Sequence, residues 1–230
     1  MDLPGVRLDL DAQAAFVREA LTEHLAAFSV PPPFRLDNPF YGPGDAELLF
    51  ALLRRSQPKR ILELGSGWST HVARAAAPDA ELVAVDPEPQ LALPAGVRHE
   101  RADARELPLH RFTALETADV LFVDTSHVVK RGGEVNRIVL GVLPRLRSGV
   151  LVQFHDVFLP YDYPRVFFEL GGHFSEQYLL AALLSGNDEW EVVLAAQALW
   201  RDGHDALTGA IPSLRHPGPA GPSSFWLRRA

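Results

Sequence analysis

The feature that most constrains this chain is an alternation. Short apolar runs at residues 61–64, 120–123 and 150–152 recur between segments with helical spacing. Runs of this kind belong to strands covered on both faces, and strands that alternate with helices build a doubly wound α/β sheet. The pattern predicts a helix opened by Asp45 and running to about residue 53, and a strand in "RILEL" at 60–64. A helix in "STHVARAAA" follows, then strands in "ELVAVD" and "VRHERAD". Next come a strand in "DVLFVD", a helix in "GEVNRIVLGVLPRL" and a strand in "GVLVQFHD". The tail reads as a helix around "SEQYLLAALL" and two strands, "EWEVVLAA" and "SFWLRR".

Ahead of this pattern, Ala14, Phe16, Val17, Leu21, Leu25 and Phe28 repeat at helical spacing, and Asp11 is placed to cap that helix. The following "SVPPPFRLDNPFYGPGD" has too many prolines and glycines for a regular element. Two regions result: residues 1–44, an N-terminal helix with an irregular linker or lid, and residues 45–230, the main domain. The apolar stripe of the first helix needs a surface to cover it, either the main domain or a second subunit in a homodimer. Charge narrows the partners. A net charge of -7 argues against the basic face of a nucleic-acid binder. With no cysteine, disulfides, thiolate metal sites and cysteine nucleophiles are excluded. No apolar run approaches the ~20 residues of a membrane span. The start of the chain lacks the basic-then-apolar layout of a signal peptide. A cytoplasmic protein is the expectation.

Ligands of doubly wound sheets bind beyond the carboxyl ends of the strands. The first strand ends in "ELGSGWST", with Glu63, Gly65, Ser66 and Gly67 leading into a helix. Glycines there let the backbone come close to a ligand and present helix N-terminal amides to it. The second strand ends at Asp86, about 20 residues on, where an acid can accept ribose hydroxyls. Asp103, followed by Ala104, closes the third strand and can face an adenine amine. The three together predict a nucleoside ligand. Thr70 stands where a dinucleotide fingerprint has Gly or Ala, which weakens a dinucleotide. Strands four and five end in "FVDTSH" and "VQFHDVF", so Asp124, His127, His155 and Asp156 converge at two neighbouring strand ends. Carboxylates can hold a divalent cation and an imidazole can take a proton.

At these residues the chain resembles class I S-adenosylmethionine-dependent methyltransferases. "ILELGSGWST" looks like their first motif, "VAVDPEP" their second and "RADAREL" their third, over a stretch from Asp45 to the C-terminus. The resemblance implies a seven-stranded sheet in the order 3-2-1-4-5-7-6, the last strand antiparallel, with helices on both faces. It implies that Gly65 and Gly67 lie under the methionine part of the cofactor, with Ser66 in the same turn. Glu63 would lie near its amino group, Asp86 on the ribose, and Asp103 with Ala104 at the adenine. The D-x-x-H of Asp124 and His127, with the acid after strand five, is similar to small-molecule O-methyltransferases of antibiotic biosynthesis, including those acting on macrolide sugars. That likeness implies Asp124 and Asp156 as metal ligands and His127 as general base, with Asp124 also beside the cofactor. His155 stands where a second acid is usual, and as a third ligand it shifts the metal from magnesium toward manganese, zinc or iron. The acceptor would be a small hydroxylated molecule, with Tyr163, Gln177 and Tyr178 as candidates to line its pocket. A dinucleotide-dependent oxidoreductase and a non-catalytic binding module are the alternatives.

Overall fold

In the computed structural model, residues 1, 3–203 and 205–230 are described. The chain begins with α1 (Leu10–Phe16), which passes through a π-helical turn into α2 (Thr22–Ala26). The cap of α1 is Asp9 and not Asp11. The Asp9 carboxylate accepts from the Ala12 amide at 2.9 Å, whereas Asp11 lies inside the first turn, where only the helix dipole rewards it. Then follow α3 (Asp45–Ser56), β1 (Arg60–Leu64), α4 (Trp68–Ala76), β2 (Glu81–Val85), β3 (Val97–Glu100) and α5 (Leu109–Thr113). Next are β4 (Val120–Val123) and α6 (Glu134–Asn136), whose helix continues irregularly to Arg145, and then β5 (Leu151–Phe154). The last part holds α7 (Arg165–Glu169), α8 (Glu176–Leu184), β6 (Trp190–Ala195), α9 (Ala196–Asp202), α10 (Asp205–Ala210) and β7 (Phe225–Arg229).

The seven strands order as β3-β2-β1-β4-β5-β7-β6, with β7 antiparallel to both neighbours, as the resemblance implies. Strand alternation divides the core into two layers. Ile61, Ala84, Phe122, Leu151 and Trp226 face α1 to α4, α9 and α10. Leu62, Val85, Val123, Val152 and Leu227 face α5, α6 and α8. The prolines and glycines of residues 29–44 do prevent a regular element, yet Phe34 and Tyr41 are buried in the first layer with Val17, Leu21 and Leu25. The sequence reading contains neither α9 nor α10. β6 runs into α9 at Ala195 and Ala196 with no glycine, proline or polar cap between them, so the chain carries no local signal of the change.

Candidate active site

At the end of β1 the backbone turns through Gly65, whose φ is +93°. An added Cβ there would lie 2.2 Å from the Asp124 carbonyl oxygen, so β1 and β4 meet at a contact that only glycine allows. Gly67 differs: an added Cβ would meet nothing within 4 Å, so the turn borders open space at the head of α4. Thr70 accepts from the Gly67 amide at 3.0 Å, and Ser69 donates to Glu63 at 2.6 Å. Glu63 is 1% exposed and its Oε2 has no partner; burial, offset in part by the Ser69 bond, pushes its carboxyl up to about 8. An open cradle beside a buried acid with one free oxygen fits a ligand that brings a cation, such as an amino acid's ammonium. Ser66 donates to Asp86 at 2.6 Å, and Asp86 also accepts from the Glu88 amide. Asp103 is closed by the Arg105 fork at 2.6 and 3.0 Å, so an adenine amine would have to compete with a guanidinium there. Ala104 packs at the edge of the second core layer. Trp68 packs edge-on against Phe34, with ring centroids 6.1 Å apart, and so joins α4 to the N-terminal segment.

β4 and β5 end side by side and bring the four polar residues together. His127, at φ +56°, and Asp156, at φ +55°, both occupy the left-handed region that side chains rarely adopt. The His127 carbonyl accepts from the Ser175 and Glu176 amides at 2.7 and 3.0 Å, which pins this loop to the start of α8. The His127 ring lies between two acids, with Nε2 3.1 Å from Asp124 and Nδ1 3.0 Å from Glu176. Burial opposes its charge, but Asp124 and Glu176 outweigh burial and push the imidazole up to about 10. Burial likewise opposes ionisation of Asp124, and His155 with His127 overcomes it, holding that carboxyl well below the usual range.

One ligand atom each from Asp124, His127 and Asp156 can be chosen so that all lie within 4.8 Å of one another. Two carboxylates and an imidazole fit a divalent cation. The imidazole in this trio is His127, while His155, the expected third ligand, has its Nδ1 3.8 Å from Asp156. The ladder bond from the His155 amide to Val123 continues β5, so alternation turns the His155 side chain toward α3. There its Nε2 is 3.5 Å from Asp45, its Nδ1 3.6 Å from Asp124, and its ring stacks on Tyr41 at 4.8 Å. Asp45 in turn accepts from the Ser223 and Ser224 amides at 2.9 and 2.7 Å. By formal charge, Asp45, Asp124, Asp156 and Glu176 exceed two imidazoles even when both rings are protonated. The site therefore favours cations.

The family model described as "Methyltransferase domain" matches residues 62–157, which run from β1 through the residue after Asp156. Residues 62–157 are thus similar to methyltransferase domains, and the strand order is that of the class I methyltransferase fold. Among solved structures, this chain is similar to the O-methyltransferase TomG of Streptomyces achromogenes, bound to S-adenosylmethionine, at 18% identity over 98% of this chain and 91% of that one, with a TM-score of 0.49. An O-methyltransferase from Bacillus cereus with S-adenosylhomocysteine shows 14% identity over 94% and 90% of the two chains, at 0.48. A methyltransferase from Geobacter sulfurreducens shows 16% over 99% and 92%, at 0.47. No curated protein matches.

The three expected pocket residues have different surroundings. Tyr163 is buried and its hydroxyl accepts from the Gln177 amide at 3.0 Å. Gln177 is fully buried and spends its side chain on the Phe158 amide and the Tyr161 carbonyl, so it braces the loop after β5 and offers no free group to a ligand. Tyr178 alone of the three is exposed, and its hydroxyl bonds Asp162. The residue missing from the expected site is Glu176. Its one sequence signal was membership of a polar stretch after β5, because its partner His127 is 49 positions away. A cleft of about 820 Å³ lies at the opposite, amino-terminal edge of the sheet, between α1, the end of α3 and β6, away from these residues. Among the described residues no helix is long and apolar enough to cross a membrane.

Proposed function

We propose that this protein transfers the methyl group of S-adenosylmethionine to a hydroxyl oxygen of a small-molecule acceptor. The observation that carries the reading is the junction at Gly65, where the predicted cofactor turn touches Asp124 and so lies beside the trio of Asp124, His127 and Asp156. Asp124, His127 and Asp156 would hold a divalent cation, which when bound lowers the pKa of an acceptor hydroxyl and fixes its direction. Glu176 accepts from Nδ1 and thereby selects the ring tautomer whose Nε2 faces the two aspartates. The excess of carboxylates suits a sulfonium donor, and in-line transfer needs only that donor and acceptor oxygen be aligned. The sequence suggests His127 as the base, which requires a neutral ring. A metal ligand needs the same unprotonated Nε2, and the Glu176 contact at Nδ1, which fixes the tautomer, suits either role.

The test is S-adenosylhomocysteine release with hydroxylated acceptors, before and after chelation and with magnesium, manganese, zinc or iron(II) restored. Chelation, Asp156→Ala and His127→Gln should each cost activity, and Glu176→Gln should weaken metal affinity about 10- to 100-fold. Full turnover after chelation together with an active Asp156→Ala enzyme would reject the metal-assisted reading.

A further inference from the structure

The loop after β5 states what kind of acceptor this site can take. Phe174 lies against the site, its ring centroid 4.7 Å from that of the His127 imidazole and tilted 45° to it. Behind it Tyr163 and Phe167 pack at 5.8 and 5.1 Å. The polar side chains of this wall are already engaged. The Tyr163 hydroxyl and the Gln177 amide bond to the loop itself, Ser175 accepts from the Val129 amide, and Tyr178 bonds Asp162. Arg165 pairs with Glu169 and Tyr161 with Asp202. Among the described residues, His173 is the one polar side chain of residues 158–178 without a hydrogen-bond or ion-pair partner. The wall's exposed apolar side chains are Phe168, at 54%, and Leu170, at 82%, beside the exposed Arg165–Glu169 pair. On the α3 side of the carboxylates, Tyr41 lies against His155 and its neighbour Phe40 is 75% exposed.

A sugar entering such a site would give up water at many hydroxyls and find few free groups to replace it, a penalty paid at each unpaired hydroxyl. A flat aromatic ring loses little and gains stacking area against Phe174. An anionic acceptor would meet the carboxylate excess. We infer that the acceptor is a neutral phenolic compound whose ring is held against Phe174, and not a sugar. The inference rests on the O-methyl transfer proposed above. In that transfer a lone pair of the phenol oxygen forms the O–CH3 bond, and the C–S bonding pair returns to sulfur, giving S-adenosylhomocysteine. The phenol proton leaves to water.

The full chain, saturated with S-adenosylhomocysteine and divalent metal, is titrated calorimetrically with 2-naphthol and with methyl α-glucopyranoside. Turnover of both, and of 2-naphthylamine, is read with S-adenosylmethionine by mass of the product. The expected result is binding of 2-naphthol, formation of its methyl ether and no binding of the glycoside. Phe174→Leu, which keeps apolar volume and loses the ring, should weaken 2-naphthol about three- to tenfold while leaving S-adenosylhomocysteine affinity unchanged. Absence of 2-naphthol binding, preferential binding of the glycoside, or an unchanged 2-naphthol Kd in Phe174→Leu would each overturn the aromatic acceptor. Methylation of 2-naphthylamine with 2-naphthol bound but inert would support the aromatic acceptor and reject transfer to oxygen, so the two readings fail separately.

Discussion

Gly65 and Gly67 are two positions apart in one turn, and substitution should separate their roles. Gly65→Ala forces a side chain into the left-handed region and onto the Asp124 carbonyl, so backbone strain alone costs about 1–3 kcal/mol. Its urea midpoint should fall accordingly, or the protein should fail to fold. Gly67→Ala projects a methyl into open space, so stability should stay within about 0.5 kcal/mol. The same methyl would occupy the cofactor cradle and weaken S-adenosylhomocysteine about tenfold or more. Glu63 gives a pH prediction. Its carboxyl is near 8 in the fold and near the ordinary glutamate value when unfolded, so the folded state binds the extra proton. The stability it contributes is complete below about 4.5 and is lost as pH rises through about 8. His127, raised to about 10, adds a loss of the same sign between about 6.5 and 10. Urea unfolding of the metal-free protein at pH 5, 8 and 10 should show both falls, and Glu63→Gln should remove only the first. If the cofactor's ammonium sits at Oε2, its binding drives that proton off. Affinity should then rise with pH up to about 8 in the parent protein and stay flat in Glu63→Gln.

Among elements, the junction of α3 with β7 supports the site from behind. Asp45, in the first turn of α3, accepts from the two amides that lead into β7, and Ser223 there donates to Asp156 at 3.2 Å. Asp45→Ala would leave buried amides without acceptors, at about 1–3 kcal/mol for each. Chemical denaturation should show a loss of about 2 kcal/mol or more, larger than for Asp45→Asn, which retains one acceptor oxygen. The sequence marked Asp45 as a helix start, and it is one. Its partners lie 178 and 179 positions away, beyond the reach of any local pattern. His155 shows the same limit: its residue type suggested a ligand, while only the fold sets its ring between Asp45 on one side and Asp124 and Asp156 on the other. Local signals also fail where they are absent, as at the seamless passage from β6 into α9.

For the whole molecule, residues 1–44 lie on the main core. Val17, Leu21, Leu25, Phe34 and Tyr41 are buried in the layer that also holds Phe50 and Leu199. Exposing such side chains costs about 1.5–3 kcal/mol each, so losing all five would exceed the usual margin of about 5–15 kcal/mol at its lower end. A chain starting at Asp45 should therefore be insoluble or molten, and a truncation with native near-ultraviolet dichroism and cooperative unfolding would contradict this. The sequence alone determined the alternation of elements and the glycine turn at β1, because apolar periodicity and backbone freedom are local properties that burial and sterics act on directly. The strand order came through the family resemblance, carried by the motifs around Glu63, Asp86 and Asp103. Only the tertiary structure decided that His127 lies between Asp124 and Glu176, and that the Gln177 side chain bonds the Phe158 amide and the Tyr161 carbonyl. Those outcomes depend on contacts between residues far apart in the chain, and a few ångströms there separate a ligand from a neighbour.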